Sequence, residues 1–341
     1  MHMPTYRLVL IGFGSAGQGL AKILNERGTW LREQRNADLL LVGVATRSRG
    51  VVYHPEGLNP ADLLVAIERQ GDLKSHPNAV EWDALQLIAE ADANVLVEAS
   101  PTDFATAEPA NSYMRAAFAR GMHVVTANKG PVALYFRELV EAAAQAEVTF
   151  GYEGTVMSGT PSLRMSWSNL AAGEIRELRG IVNGTTNYIL TEMERGREYA
   201  DVLAEAQRLG YAEADPSGDV DGHDAAGKAV ILANVLMGAQ LTPGDVDRAG
   251  ITGITSSMVA AAASAGERWK LIARVWRDGD QVRASVQPTR LPASHPLAGV
   301  AGATNALTVT VDPLGEVTLI GPGAGSIPTG FALLSDILAI G

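Results

Sequence analysis

Cysteine is absent from all 341 residues. That absence excludes disulfides, thiolate metal sites and thioester chemistry in one step. Histidine is scarce. The six residues His2, His54, His76, His123, His223 and His295 are scattered, and no pair has helical ligand spacing, which argues against a zinc site. Only five lysines occur, and arginine carries the bulk of the positive charge. There is no lysine-rich run and no basic tail. The net charge is -11, so nucleic acid and anionic membrane surfaces are poor partners. No apolar run is long and charge-free enough to span a bilayer. The opening MHMPTYR lacks signal-peptide architecture and leads straight into a strand. These features together read as a soluble cytoplasmic protein.

The length predicts two domains, and a hydrophobic fraction of 47% is ample for their cores. Residues 6–11 form a short apolar run that enters Gly12, Phe13, Gly14, Ser15, Ala16 and Gly17 before a helix-like stretch. This is G-x-G-x-x-G in its strand-turn-helix context. The first glycine allows the tight turn, the second admits a pyrophosphate, and the third lets helix and strand pack closely. The plain alternative is an ordinary glycine-rich turn. A second strand is expected over 39–45. Asp38 precedes it, at the wrong end to hold a ribose diol, whereas Arg47 and Arg49 follow it. Arginines there suit a 2'-phosphate, favouring NADP over NAD, unless they are simply exposed loop residues. Strands over 94–100 and 123–130 bring Ser100 and Lys129 to carboxyl ends, facing the nucleotide crevice. A helix is expected over 105–120 and a closing strand over 147–152. The fold class is α/β, a Rossmann-like doubly wound domain over 1–150 plus an α+β domain over 151–320. Residues 321–341 form a glycine loop and last helix returning to the nucleotide domain.

In the second half, Tyr211 to Lys228 places Glu213, Asp215, Asp219, Asp221 and Asp224 ahead of a lone lysine. Turn signals make its start a loop, and a helix is expected from Asp224. Asp224 and Lys228 then share one helical face. Acceptors beside one ammonium suit a small zwitterionic substrate, with the lysine facing the oxygen where charge develops. A solvated acidic loop with a surface ion pair is the plainer reading. Upstream, Asn183-Gly184-Thr185-Thr186-Asn187 reads as a turn before a helix over 188–195. Its amides and hydroxyls can hold a carboxylate, or it is only an Asn-Gly turn with a cap.

Taken together, GFGSAG, VVTANKG at 124–130, NGTTNYIL at 183–190, GYAEADPSGDVDGHDAAGK at 210–228 and the closing GPGAG resemble homoserine dehydrogenase, in family order over nearly the whole chain. The resemblance implies NAD(P)-dependent interconversion of L-homoserine and L-aspartate 4-semialdehyde, on the route to threonine and methionine. It implies Lys228 as the catalytic lysine, with Lys129 between cofactor and substrate. Glu213 and Asp224 fall at substrate-binding positions and Asp219 at a supporting acid, and Thr185 of the 183–187 turn is a further substrate-binding candidate. Ser100, Gly210, Gly323 and Gly325 fall at cofactor contacts. Glu153, Val156, Ser158 and Thr160 align with a connection that holds a monovalent cation, usually sodium, although Met157 and Ser158 replace a more glycine-rich run. The resemblance also implies a homodimer through the second domain. Neither a regulatory ACT domain nor a fused aspartate kinase is expected.

In that reading, Lys228 or Lys129 stabilises the carbonyl oxygen during reduction and accepts a proton during oxidation. Homoserine oxidation should therefore quicken at alkaline pH. Two other classes stay open: another NADP oxidoreductase acting on an amino-acid-derived carbonyl, or a non-catalytic NADP-binding regulator. Turnover with homoserine separates them.

Overall fold

The computed structural model describes residues 3–340 and divides the chain into two compact units. One is Met1–Gly159 with Gly325–Gly341, and the other is Thr160–Ala324.

The first unit is built on a seven-stranded sheet. Five strands are parallel: β1 (Thr5–Ile11), β2 (Asp38–Ala45), β5 (Val95–Glu98), β6 (His123–Thr126) and β7 (Phe150–Gly151). Two short strands, β3 (Val51–Tyr53) and β4 (Ala79–Val80), extend the β2 edge in antiparallel fashion. The order is β4-β3-β2-β1-β5-β6-β7. Strand order therefore reverses between β1 and β5, where doubly wound sheets bind ligands beyond their carboxyl ends.

Alternation along β1 sends Leu8 and Leu10 to one face and Val9 and Ile11 to the other. Helix α1 (Ser15–Arg35) covers the first face with Leu20 and Leu24, together with Leu333 and Ile337 of the C-terminal helix Ser326–Ile337. The opposite face is covered by α3 (Ala84–Glu90), α4 (Ala110–Ala119) and α5 (Lys129–Gln145), through Leu87, Met114, Phe118 and Leu139. Helix α2 (Pro60–Gln70), capped by the Asn59 side chain, lies on the α1 side through Leu63 and Ala66. Burying both sheet faces requires the near-continuous apolar runs seen in β1, β2 and β5.

The second unit holds a mixed six-stranded sheet. Its strands are β8 (Glu174–Ile181), β9 (Asp247–Arg248), β10 (Glu267–Asp278), β11 (Gln281–Pro292), β12 (Thr304–Asp312) and β13 (Gly315–Pro322), in the order β13-β12-β8-β10-β11-β9. All pairings are antiparallel except β11 with β9. Its helices are α6 (Ser162–Arg164), α7 (Gly184–Met193), α8 (Tyr199–Arg208), α9 (Ser217–Val220), α10 (His223–Met237) and α11 (Ser256–Ser264). This makes the C-terminal helix α12. Helix α10 is buried along most of its length because alanines and a glycine at its start let it lie close to β10 and β11.

Several expected boundaries move. Helix α4 begins at Ala110 rather than 105, because Asp103 folds the preceding residues into a turn by accepting from Ala105 N at 2.6 Å and Thr106 Oγ1 at 2.7 Å. The expected strand over 147–152 shrinks to Phe150–Gly151. The NGTTN segment is no separate turn. Asn183 caps α7, and Gly184 to Asn187 are its first helical turn.

Candidate active site

The glycine loop stands at the carboxyl end of β1. Gly12 has φ +94°, and a Cβ there would run into the Ala99 backbone after β5. Gly17 packs against the Gly12 carbonyl just as closely. Around Gly14, which caps α1, a Cβ would meet nothing within 4 Å. The loop is thus tight where strand and helix touch and open at the helix N-terminus, as a pyrophosphate needs. Beyond β2, Thr46 Oγ1 accepts from Arg49 N at 2.9 Å and donates to Gly50 O at 2.9 Å, forming a turn that displays Arg47 and Arg49 to solvent. Asp38 opens β2 at the far end of the sheet, 3.6 Å from Arg32.

At the end of β5 sits a carboxyl group not expected from the sequence. Glu98 is 0% exposed. It accepts from Ser100 N at 2.9 Å, from Ser100 Oγ, and from Thr126 Oγ1 at 3.2 Å. Burial pushes its pKa from 4.5 up to about 7, although these hydrogen bonds pull the other way. Asn128 completes the cluster by donating to Ser100 O at 3.2 Å and Pro101 O at 3.3 Å, while its Oδ1 caps α5 through Gly130 N. Ser100 is thereby fixed from both sides. Lys129 is the first residue of α5, where a cation works against the helix dipole. Helix stability does not account for a lysine at that place.

In the second unit, Lys228 is only 8% exposed. Its Nζ lies 2.7 Å from Asp224 Oδ2 and donates to the Val182 carbonyl at 2.6 Å. Asn183 joins the acids: Nδ2 donates to Asp219 Oδ1 at 2.6 Å and Asp224 Oδ2 at 3.0 Å, while Oδ1 caps α7 through Thr186 N at 2.9 Å. Burial, then the neighbouring Asp224 charge, raises the pKa of Asp219. Thr185 Oγ1 donates to Tyr211 O at 2.7 Å, tying the start of α7 to the acidic segment. The five carboxylates do not act as one cluster. Asp219 and Asp224 gather at Lys228, whereas Glu213 and Asp215 are exposed, and Asp215 caps Ser217 N.

The profile of the homoserine dehydrogenase NAD-binding domain matches residues 12–153, and that of homoserine dehydrogenase matches 161–338. The chain belongs to the homoserine dehydrogenase family. A protein of Pseudomonas canavaninivorans named NAD(+)-dependent homoserine dehydrogenase is 43% identical, over 99% of this chain and 97% of its own. The homoserine dehydrogenase of Methanocaldococcus jannaschii is 40% identical, over 98% of each chain. A hyperthermophilic archaeal homoserine dehydrogenase solved in complex with NADPH superposes with a TM-score of 0.84 at 30% identity, over 99% of this chain and 98% of that one. The protein is thus an NAD(P)-dependent oxidoreductase of threonine and methionine biosynthesis that interconverts L-homoserine and L-aspartate 4-semialdehyde.

The remaining expected site residues occupy three places. Glu153, Val156 and Ser158 are buried in the first unit, with Glu153 N donating to Asp336 Oδ2 at 2.9 Å and Ser158 Oγ 2.8 Å from Thr329 Oγ1. Met157 and Ser158 hold φ of 57° and 52°, the left-handed region that favours glycine. In the second unit, Thr160 Oγ1 donates to Pro322 O at 2.9 Å. Gly210 ends α8 in a left-handed conformation, Gly323 follows β13, and Gly325 caps α12.

Sequence reasoning missed Glu98 and Asn183. An acid inside the apolar run VLVEAS was a usable signal for the first. Asn183 was visible only as part of a turn, and its bridge between two acids needs the fold to be seen.

Proposed function

We propose that Lys228 carries the proton transfer of the homoserine–aspartate semialdehyde interconversion. The observation behind this is the buried chain Lys228–Asp224–Asn183–Asp219. An ammonium has three donors. Asp224 and the Val182 carbonyl take two, which leaves one for a ligand oxygen. The nicotinamide cofactor supplies or takes the hydride. As negative charge grows on the aldehyde oxygen, Lys228 stabilises it and delivers a proton, and in the reverse direction Lys228 accepts one. Asp224 orients the lysine. Asp219, Thr185 and the start of α7 hold the amino-acid part of the substrate, and exposed Glu213 reaches its ammonium. Lys129, at the start of α5, is the second candidate for the proton.

On the cofactor side, the loop from Gly12 through Phe13, Ser15 and Ala16 to Gly17 receives the pyrophosphate, and Ser100 faces the nicotinamide half. Gly210, Gly323 and Gly325 add backbone contacts. Exposed Arg47 and Arg49 favour NADP. The name of the Pseudomonas canavaninivorans relative favours NAD as a second reading. The buried carbonyls of Glu153, Val156 and Ser158 are proposed ligands of a sodium ion, supported by the left-handed bend at 157–158. A homodimer through the second unit is proposed, and exposed Leu314 and Ile320 in that unit are apolar surface for it to cover.

The test is growth of reduced-nicotinamide absorbance with purified protein, L-homoserine and either NADP or NAD. Faster growth with NADP is expected. Growth with NAD alone keeps the enzyme and overturns the cofactor preference. No growth, from a folded protein that still binds NADPH, overturns the proposed role of Lys228.

A further inference from the structure

Helix α9 has four residues and buries only Val220. A helix this short does not hold itself in place, so its position is set by what it touches. It nevertheless carries Asp219, whose Oδ1 accepts from Asn183 Nδ2 at 2.6 Å. Asn183 Nδ2 also donates to Asp224 Oδ2. The turn between these acids therefore brings two carboxylates together against their mutual repulsion, and something outside it must resist that force.

The resisting contacts come from the edge strand β9 and the residues after it. Arg248 donates from Nη1 to the Asp221 carbonyl. Ile251 is 0% exposed, and its N–H donates to Val220 O at 2.8 Å. Between them Gly250 lies flush on the same turn, where a Cβ would stand 2.2 Å from Val220 O and 2.5 Å from Asp221 Cα. Both carbonyls that follow Asp219 are thus taken by one segment. The strand itself does little for the core. It has two residues, both exposed, and pairs only with the edge of β11, where Ala249 N continues to Val286 O at 2.8 Å. What the pairing provides is a fixed base from which Arg248 and Ile251 reach the acidic turn.

We propose that Arg248 and Gly250 are positioning residues for the substrate acids. Arg248 holds the Asp221 peptide, and Gly250 gives the backbone of α9 its seat, so that Asp219 stays on Asn183 beside Asp224 and Lys228. This rests on the homoserine reading above and adds to it the residues that keep its acids assembled.

Steady-state kinetics of three variants test it. Arg248→Ala removes one bond from an exposed side chain, so its melting temperature should stay within about 4 °C of wild type. Its homoserine KM should rise about fivefold, because apparent affinity falls with the fraction of time the site is assembled. KM for the nicotinamide cofactor should stay within about twofold. Arg248→Lys keeps a donor for the Asp221 carbonyl and should return the homoserine KM to within about twofold of wild type. Gly250→Ala forces α9 off its seat and should raise the homoserine KM about tenfold or more. If that variant does not fold, the two Arg248 variants decide alone. Homoserine and cofactor KM rising together in Arg248→Ala would mean a general loosening of the fold and overturn the proposal. So would a lysine variant as impaired as the alanine one. Wild-type protein that binds NADPH but does not turn over homoserine overturns the substrate reading and the proposal with it. Wild-type turnover with an unaltered Arg248→Ala KM overturns the proposal alone.

Discussion

Replacing Glu98 by glutamine should change how the stability of the first unit depends on pH. Glu98 is fully buried, and burial pushes its pKa from 4.5 to about 7. Between those values the unfolded chain has released this proton while the folded chain retains it. Folding stability therefore falls as pH rises across that window and levels off above pH 7. Each pH unit is worth about 1.4 kcal/mol, so the whole decline is roughly 3 kcal/mol. Glutamine keeps the shape and carries no charge. Its Oε1 can still accept from Ser100 N. The Thr126 hydroxyl, which donates to Glu98 O at 3.0 Å, can accept from the new amide. The variant should lack the decline, so the difference between Glu98→Gln and wild type should grow by roughly 3 kcal/mol from acid to neutral pH. At about 2–4 °C per kcal/mol for a unit of this size, that is on the order of 10 °C in melting temperature. Thermal melts of both proteins from pH 5 to pH 8 at constant ionic strength read it directly, since other titrating groups cancel in the difference. Parallel curves would refute the reasoning and place the charged form of Glu98 in the folded protein throughout.

Other outcomes follow from the same geometry. Lys228→Ala should lower turnover by about a hundredfold or more, the range of lost general acid–base catalysis, with NADPH binding by fluorescence nearly unchanged; equal loss of both would assign Lys228 to cofactor binding instead. Arg47→Ala and Arg49→Ala together should raise the NADP KM about tenfold and leave the NAD KM alone, and equal effects on both would mean that the arginines do not read the 2'-phosphate. Asn183→Ala removes both the α7 cap and the bridge between Asp219 and Asp224, so a loss of about 1–2 kcal/mol in denaturant titration is expected. Homoserine oxidation should speed up from neutral to alkaline pH when chemistry limits the rate, and a flat profile would count against a lysine as the proton acceptor.

Legibility in the sequence tracked how local the deciding physics was. The strand-loop-helix at Gly12 to Gly17 is local, and both the motif and the placement of Asp38 at the far strand end were readable. The Asp224–Lys228 pair was readable for the same reason, since one helical turn sets it. The hairpin extension β3–β4 and helices α2 and α3 were not read. A two-residue strand carries no periodicity, and β3 exists because the edge of β2 offers it unpaired backbone groups. Glu213 shows how little spacing alone says about burial. Five acids close in sequence suggested one cluster, but the turn at Pro216 and α9 carries Asp219 inward and leaves Glu213 exposed.

Each unit's candidate chemistry rests on an asparagine that does two jobs. Asn128 caps α5 with its Oδ1 and holds the Ser100 segment with its Nδ2. Asn183 caps α7 with its Oδ1 and holds Asp219 and Asp224 with its Nδ2. An amide suits this place because it has an acceptor for the helix N–H and a donor for an oxygen on a neighbouring segment. Aspartate, an equally good cap, has no donor and would add a third carboxylate beside Asp219 and Asp224. Serine and threonine cap as well but are too short to span to a second segment. Asn183→Asp should therefore keep the helix start and still disrupt the acid pair, raising the pKa of Asp219 beyond its already raised position. The damage should lessen as pH falls and the carboxyls protonate. A variant equally impaired at acid and alkaline pH would show that Asn183 acts through the cap alone.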